Sequence, residues 1–220
     1  MRLDELAPGL TRWATAHPGW APDRSWERDV GAYLVETADV TLLLDPLAPS
    51  TAEDAFWQWL DAAIARAGRP VAILLSRAGH FRSSQAVHDR YDAIVYGHER
   101  ARERLDPVRD FHTVVPGSEL PGGVRALPTR AIYDETPLFF PSHAALAVGD
   151  LVVAVEHELR VWWVAENEAE EREYRDQHVP SLRDWLTLPV EHVLVNHGDY
   201  VPGGAAALAA AFERPPWNVS

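Results

Sequence analysis

The stretch VLVNHGD, residues 193–199, places three aliphatic residues directly before a group of polar ones. Such a short apolar run is typical of a buried strand, and the glycine marks a turn after it. Residues at the end of a strand are held in place by the sheet and remain reachable by ligands. The stretch therefore predicts a strand that delivers His197 to a site at the edge of a sheet.

Three more segments end an apolar run with a polar group: LLDP (residues 43–46), LLSRAGHFR (residues 74–82) and AVGD (residues 147–150). The proline after Asp45 ends the strand and directs the chain into a loop. Taken alone, an Asp before Pro is usually a turn residue, and a His after a strand is usually a satisfied polar group. The order of the four segments along the chain is more specific than any one of them.

Around these segments the hydrophobic pattern predicts strands that alternate with helices. Strands are predicted at Val30–Thr37, Val40–Leu44, Val71–Leu75, Ala93–Tyr96, Phe111–Val115, Val124–Leu127, Leu138–Phe140, Ala144–Val148, Leu151–Val155 and Val193–Val195. Helices are predicted from Ser50 or Thr51 to Gly68 and over Ser83–Arg90, Pro180–Leu186 and Gly204–Phe212. The first thirty residues, rich in Trp and Pro, are expected to be irregular, with one short strand at most. The pattern predicts one α+β domain over residues 1–220, with sheets flanked by helices.

Composition excludes several classes of protein. The 220 residues carry a formal charge of −13, which argues against nucleic acid as a partner because phosphate backbones need a basic surface. With no cysteine, the chain has no disulfide, no thiolate nucleophile and no zinc–thiolate site. There is no lysine and no glycine-rich phosphate loop, so nucleotide binding has no support. No apolar run suits a signal peptide or a membrane span, so we expect a cytoplasmic protein without a membrane partner.

The four polar segments, in their order and strand context, resemble the metallo-β-lactamase superfamily from about Trp13 to Phe212. The resemblance implies a four-layer αββα sandwich with an active cleft along one edge of its sheets. In that family a strand ending in Asp-Pro precedes a Thr-His-x-His-x-Asp-His loop, a later His, a Gly-Asp turn and a strand ending in His-Gly. By this resemblance Asp150 and His197 match metal-ligand positions.

The metal-binding loop of the family is altered in this chain. With Ser76 on the family's Thr, the ligand positions hold Arg77, Gly79, Phe81 and Arg82. A guanidinium has no lone pair to give a metal. His80 lies one position from a ligand site, and Arg130 is the nearest match to the family's later His. A metal, if retained, would be held by Asp150, His197 and His80, which falls short of a dinuclear centre.

Two functions remain open. In the first, the fold has lost its metal and binds no cofactor, and Arg77, Arg82 and Arg130 line a cleft for a small anionic ligand. The arginines could equally be ordinary exposed side chains. In the second, a single zinc or iron ion supports hydrolysis of ester, thioester or lactone bonds. The catalytic candidates are then His80, Asp150 and His197, with His80 as third ligand or general base. Oligomeric state and substrate stay open.

Two minor features complete the pattern. Ser142 and His143 suggest a nucleophile and base, but no Gly-x-Ser-x-Gly turn exists and neighbours on an extended chain point apart, so a serine hydrolase is not predicted. Alternation along a strand should also separate Trp162 from Trp163, with one ring in the core and the other over a cleft or a partner subunit.

Overall fold

A computed structural model describes residues 1–24, 26–105, 110–129 and 134–217, and within them seven strands lie side by side in chain order. These strands are β1 (Arg2–Ala7), β2 (Leu10–Ala16), β3 (Asp29–Glu36), β4 (Thr41–Leu44), β5 (Val71–Leu74), β6 (Ile94–Gly97) and β7 (Phe111–Thr113). The first four are antiparallel and the last four are parallel. Helices α1 (Glu53–Ala67), α2 (Ser84–Tyr91) and α3 (Glu99–Arg102) lie between the parallel strands. Parallel neighbours need such crossover connections, which bring polar loops to one edge of the sheet.

A second sheet has five strands in the order β14-β11-β10-β9-β8. In chain order the remaining strands are β8 (Glu119–Leu120), β9 (Val124–Ala126), β10 (Leu138–Phe140), β11 (Ala145–Ala147), β12 (Val152–Val155), β13 (Glu158–Val161) and β14 (His192–Leu194), of which β12 and β13 form a separate hairpin. The remaining helices are α4 (Glu168–Glu173), a π-helical turn (Tyr174–His178), α5 (Val179–Leu182) and α6 (Gly204–Glu213). Among the described helices, none is long and apolar enough to cross a bilayer.

Three hydrophobic cores separate the layers. Along β3, Leu34 packs in the core with Phe56 of α1, whereas the next residue, Val35, packs in the core between the sheets. Along β10, Phe140 joins the core between the sheets and Phe139 joins the core under α5 and α6. Because the central strands of the two sheets are buried on both faces, β5 and β10 are continuous apolar runs rather than alternating ones. The result is the predicted αββα sandwich.

The N-terminal prediction was wrong. Instead of an irregular segment, β1 and β2 form a hairpin that extends the first sheet. The alternation of apolar and polar residues that indicates a strand is absent in β2, because polar and apolar residues of β2 are both buried. Arg12 is buried beside Trp13, and its guanidinium donates to the Gly198 carbonyl at 2.7 Å. A strand whose buried face carries a paired arginine does not show the alternation by which strands are recognised.

Candidate functional site

The four polar segments predicted from the sequence meet at one edge of the two sheets. Asp45 follows β4, Ser76 lies just beyond β5, Asp150 lies beyond β11, and Asn196 lies beyond β14. The amide of Asn196 donates to Asp45 Oδ2 at 2.8 Å, which joins the first sheet to the second. Two groups of side chains can be distinguished here. The inner centre comprises Asp45, Ser76, His80, Arg82 and Asn196, and the outer centre comprises Arg77, Glu135, Asp150 and His197.

Asp45 is the focus of the inner centre. It is fully buried, and its φ of 48° turns the chain sharply after β4. Its carboxylate accepts hydrogen bonds from the Ser76 amide at 2.9 Å, from the Ser76 hydroxyl and from Asn196. Burial alone would raise the pKa of Asp45, but His80, Arg82 and these donors hold it below its usual value. Asp45 is therefore a buried anion with its charge balanced inside the protein.

His80 lies between two carboxylates. Its Nδ1 is 3.1 Å from Asp45 Oδ2, and its Nε2 is 3.3 Å from Asp150 Oδ1. Burial and Arg82 lower the pKa of His80, but the two carboxylates outweigh them and raise it to about 9. At neutral pH the ring is a cation whose two N–H groups both face acids. Such a ring has no free lone pair for a metal ion.

Arg82 ties the inner centre together. Its Nη1 donates to Asn196 Oδ1 at 3.0 Å and to the carbonyls of Gly31 and Asp45 at 3.2 Å each. The φ of 32° at Arg82 aims the side chain back across the sheet edge. A single guanidinium thus contacts β3, the loop after β4 and the loop after β14. The alternative interpretation from the sequence, that this arginine is an ordinary exposed side chain, is wrong for Arg82, because these acceptors surround its guanidinium.

Arg77 belongs to the outer centre and is 29% exposed. Its Nη1 donates to Asp150 Oδ2, and its Nε is 3.5 Å from Glu135 Oε1. A β-bridge between Arg77 and Glu135 fixes this arrangement along the backbone. The Arg–Asp150 pair expected from the sequence is present, formed by Arg77 and not by Arg82.

Glu135 was not anticipated. It is buried, and its Oε2 accepts from the amides of Asp150 at 3.0 Å and Leu151 at 3.2 Å. Burial and the neighbouring Asp150 raise the pKa of Glu135 to about 8. Gly149 makes this contact possible, because a Cβ there would lie 2.7 Å from Glu135 Oε2. The sequence indicated the Gly149-Asp150 turn, but it did not indicate that Glu135 is the acid that packs against Gly149.

His197 closes the outer centre from the second sheet. Its Nε2 is 3.4 Å from Asp150 Oδ1, and its ring lies edge-to-face against Trp26 at 5.0 Å and Trp162 at 5.9 Å. Burial lowers the pKa of His197 to about 4, so the ring is neutral at neutral pH. Asp150 Oδ1 and His197 Nδ1 are buried, and neither has a well-aligned hydrogen bond within the described residues. Trp162 thus covers the cleft, as alternation at Trp162–Trp163 predicted.

The donor set does not fit the metal centre that the fold family implies. The three predicted ligands do lie together, because the Nε2 atoms of His80 and His197 both lie near Oδ1 of Asp150. However, Asp150 already receives the Arg77 guanidinium, and His80 directs its other nitrogen at Asp45. Within residues 1–24, 26–105, 110–129 and 134–217, no group of three His, Cys, Asp or Glu side chains is arranged to hold a metal ion. Arg130, the remaining predicted ligand-binding residue, lies outside the described residues.

Two cavities flank Arg77. A cavity of about 110 Å³ lies between Arg77, Asp150 and Trp162. On the other side of Arg77, a more open cavity of about 440 Å³ is lined by Arg100, Arg104 and Asp134 among others. Arg77 is therefore the side chain through which a molecule in the larger cavity would meet the acids of the outer centre.

Solved structures similar to this one share its fold. The chain aligns with DIM-1 metallo-beta-lactamase exposed to ceftazidime at 12% identity and a TM-score of 0.66, over 96% of this chain and 94% of that one. It aligns with a metallo-beta-lactamase family protein from Thermus thermophilus at 19% identity and a TM-score of 0.60, over 95% of this chain and 81% of that one. For the flavodiiron protein from Giardia intestinalis the identity is 17% and the TM-score is 0.64, over 97% of this chain and 59% of that one. No family model and no curated protein matches the sequence. The chain therefore has the metallo-β-lactamase fold, as the order of its polar segments predicted.

Proposed function

We propose that this metallo-β-lactamase-fold chain binds a small anionic ligand at Arg77 and does so without a catalytic metal. The observation that carries the proposal is the position of Arg77, whose guanidinium contacts Asp150, Glu135 and Asp134 and whose side chain lines the 440 Å³ cavity together with Arg100 and Arg104. A guanidinium is planar and presents several donors at once, so it can bind two carboxyl groups or phosphates on different edges.

The charges of the two centres support metal-free function. A buried carboxylate without a counter-charge is costly, and in this fold family metal ions supply that charge. Here Arg82 and the His80 imidazolium accompany Asp45, and Arg77 accompanies Asp150. The cations present in the chain thus satisfy the acids that a metal would otherwise neutralise. Hydrolysis by a metal-bound water has no support from this arrangement.

The surroundings of Arg77 support an anion as the ligand. Arg100 and Arg104 line the larger cavity with it, against Glu103 and Asp134. Within the described residues neither Arg100 nor Arg104 forms an ion pair. The cavity is thus lined by three arginines and two acids, although the whole chain is acidic. A compact polar anion, a polycarboxylate or a phosphate, is the ligand class that suits it.

A second candidate is the single-metal hydrolase of ester, thioester or lactone bonds, with zinc or iron. One observation favours it: the Nε2 atoms of His80 and His197 lie 3.3 and 3.4 Å from the same oxygen of Asp150. It would require Arg77 and Asp45 to release their present partners, so it is the weaker proposal. Turnover of esters or phosphodiesters that persists in a chelator would contradict both candidates.

The decisive experiment combines metal analysis with anion binding. We expect well under one metal per chain after purification, no stabilisation by added zinc or iron, and measurable binding of citrate or inorganic phosphate by calorimetry. Arg77→Gln and the double variant Arg100→Gln/Arg104→Gln should each weaken binding by about tenfold, the usual scale for losing a charged hydrogen bond. Arg66→Gln, an exposed arginine on α1 that pairs with Glu36, is the matched control. One zinc or iron per chain that disappears in His197→Ala would overturn the proposal.

A further inference from the structure

A partly apolar cavity lies away from both centres. It has a volume of about 470 Å³ and is enclosed by the π-helical turn Tyr174–His178, by α5, by the end of α6 and by Pro215 and Pro216. Volumes of this size are typical of sites for small molecules. Trp162 faces His197 in the cleft, whereas its neighbour Trp163 lines this cavity on the other side of the hairpin. The cavity is thus separate from the ligand site proposed above.

The floor of the cavity is apolar and mostly aromatic. Trp163, Tyr174, Val179 and Phe212 line it, and all four are buried in the core of the second half. The rings of Trp163 and Tyr174 lie 5.8 Å apart and tilted. Just after the two prolines, the Trp217 amide donates to the Val161 carbonyl of β13 at 2.8 Å, and the Trp217 carbonyl accepts from the Trp163 amide at 3.3 Å, which holds the cavity wall in place. A rigid apolar floor favours a ligand with an aromatic or aliphatic body.

Polar atoms in this floor lack partners. Trp163 Nε1 and Tyr174 Oη are buried, and neither has a hydrogen bond within the described residues; the same holds for Nε2 of His178 behind them. The His178 ring lies 4.6 Å from the Trp163 ring. Buried donors without partners are uncommon, since each costs about 1–3 kcal/mol. Tyr174 and His178 lie on the π-helical turn, a feature that is frequent at functional sites.

The rim of the cavity is charged. Arg183 pairs with Glu213 at 2.6 Å, and Arg214 pairs with Glu158 at 3.0 Å. Arg175 is exposed at the mouth and forms no ion pair with any residue that the structure describes. Of the arginines that line the cavity, Arg183 and Arg214 are thus paired with glutamates, and Arg175 is the cation at the opening that is left for a ligand. A carboxylate at the mouth would complete this balance.

We propose that this cavity is a second ligand site, which binds a small carboxylic acid with an aromatic or aliphatic body. The body lies on Trp163, Val179 and Phe212, and the carboxylate faces Arg175. The site is independent of the anion site at Arg77, because it uses none of the residues of the inner or outer centre.

The test uses the full chain with 2-naphthoate as probe and 2-naphthamide as its uncharged match, followed by calorimetry. We expect 2-naphthoate to bind with a Kd between about 10 µM and 1 mM, a range reached by small ligands of this size. The amide should bind about tenfold more weakly. Arg175→Gln should weaken naphthoate binding to a similar degree, and Glu171→Gln should leave it equal or tighter. Ala165→Trp, which fills the cavity from its rim, should abolish binding.

Two control variants establish that naphthoate binds in this cavity. Arg172→Gln changes an exposed arginine on α4 that pairs with Glu168 and does not line the cavity, so binding should be unchanged. Arg77→Gln should also leave naphthoate binding unchanged, which distinguishes a failure of this proposal from a failure of the cleft proposal. No binding by the native chain, equal binding of acid and amide, or binding that survives in a folded Ala165→Trp variant would each overturn the proposal. If Ala165→Trp does not fold, the exposed Arg175→Gln variant decides.

Discussion

The inner and outer centres are neighbours, yet they differ in how their polar atoms are satisfied. In the inner centre the carboxylate of Asp45 receives several hydrogen bonds and is fully buried. In the outer centre Asp150 Oδ1 and His197 Nδ1 have no good hydrogen bond among described residues, and Arg77 is partly exposed beside two cavities. Arg82 Nε of the inner centre is also buried without a partner among the described residues, so the difference lies in the well-paired Asp45 carboxylate on one side and in the cavities beside Arg77 on the other. The comparison assigns stability to the inner centre and binding to the outer one.

The largest expected effect is the loss of the inner acid. Asp45→Ala would leave Arg82 and the His80 cation buried without their main counter-charge. We expect the free energy of unfolding to fall by about 3–5 kcal/mol, the usual result of removing one partner of a buried ion pair. Urea denaturation measures it. Asp61→Ala, which removes an exposed pair with Arg90, should cost no more than about 1 kcal/mol. Equal losses in the two variants would contradict a structural role for the inner centre.

The next largest effect is a difference in stability between variants of Arg82 and Arg77, two arginines that the sequence analysis assigned to the same cleft. Arg82→Met removes a guanidinium that contacts three carbonyl or amide oxygens, so we expect a loss of about 2–3 kcal/mol in unfolding free energy. Arg77→Met should cost less, about 1–2 kcal/mol, because Arg77 is partly exposed and the His80 cation remains beside Asp150, but it should weaken anion binding. If Arg82→Met weakened binding without a loss of stability, the roles of the two centres would have to be exchanged.

The histidines of the two centres should respond to pH in opposite directions. The pKa of His80 is raised to about 9, so its stabilisation is complete below its unfolded pKa near 6.5 and is lost as the pH rises towards 9. The pKa of His197 is lowered to about 4, so its neutral ring destabilises the fold as the pH falls from about 6.5 towards 4. The free energy of unfolding is measured against pH for the native chain and for both variants. His80→Gln should lack the decrease between about pH 6.5 and 9, and His197→Gln should lack the decrease between about pH 6.5 and 4. Nitrogen NMR at pH 7 should show His80 charged and His197 neutral.

The smallest effect is expected at Glu135. Burial raises its pKa to about 8, so the carboxyl is largely protonated at neutral pH, and Glu135→Gln keeps an acceptor for the two backbone amides. At pH 4.5, where the native carboxyl is protonated in the folded chain, stability should change by less than about 1 kcal/mol. Because the native group binds its proton more tightly when folded, native stability should decline from about pH 4.5 to 8, and the Gln variant should lack this decline. A large loss at pH 4.5 would place Glu135 with the inner centre.

The strands that carry the site were predictable, and so was their convergence. Asp45, Asp150 and His197 each follow a short apolar run, and their order was enough to predict the fold. The positions of Arg77 and Arg82 were not predictable, because φ values of 32° at Arg82 and 48° at Asp45 decide which way the loop turns. Glu135 was missed because its role depends on the space left by Gly149, which is a property of tertiary packing rather than of a motif.

The hydrogen bond from Asn196 to Asp45 joins residues 151 positions apart. Its closure must await the docking of the second sheet on the first, since contacts of long sequence separation form at high entropic cost. During folding, Asp45 and Arg82 therefore stay hydrated until nearly the whole chain is in place. Their desolvation belongs to the last step, so substitutions in the inner centre should accelerate unfolding more than they slow refolding.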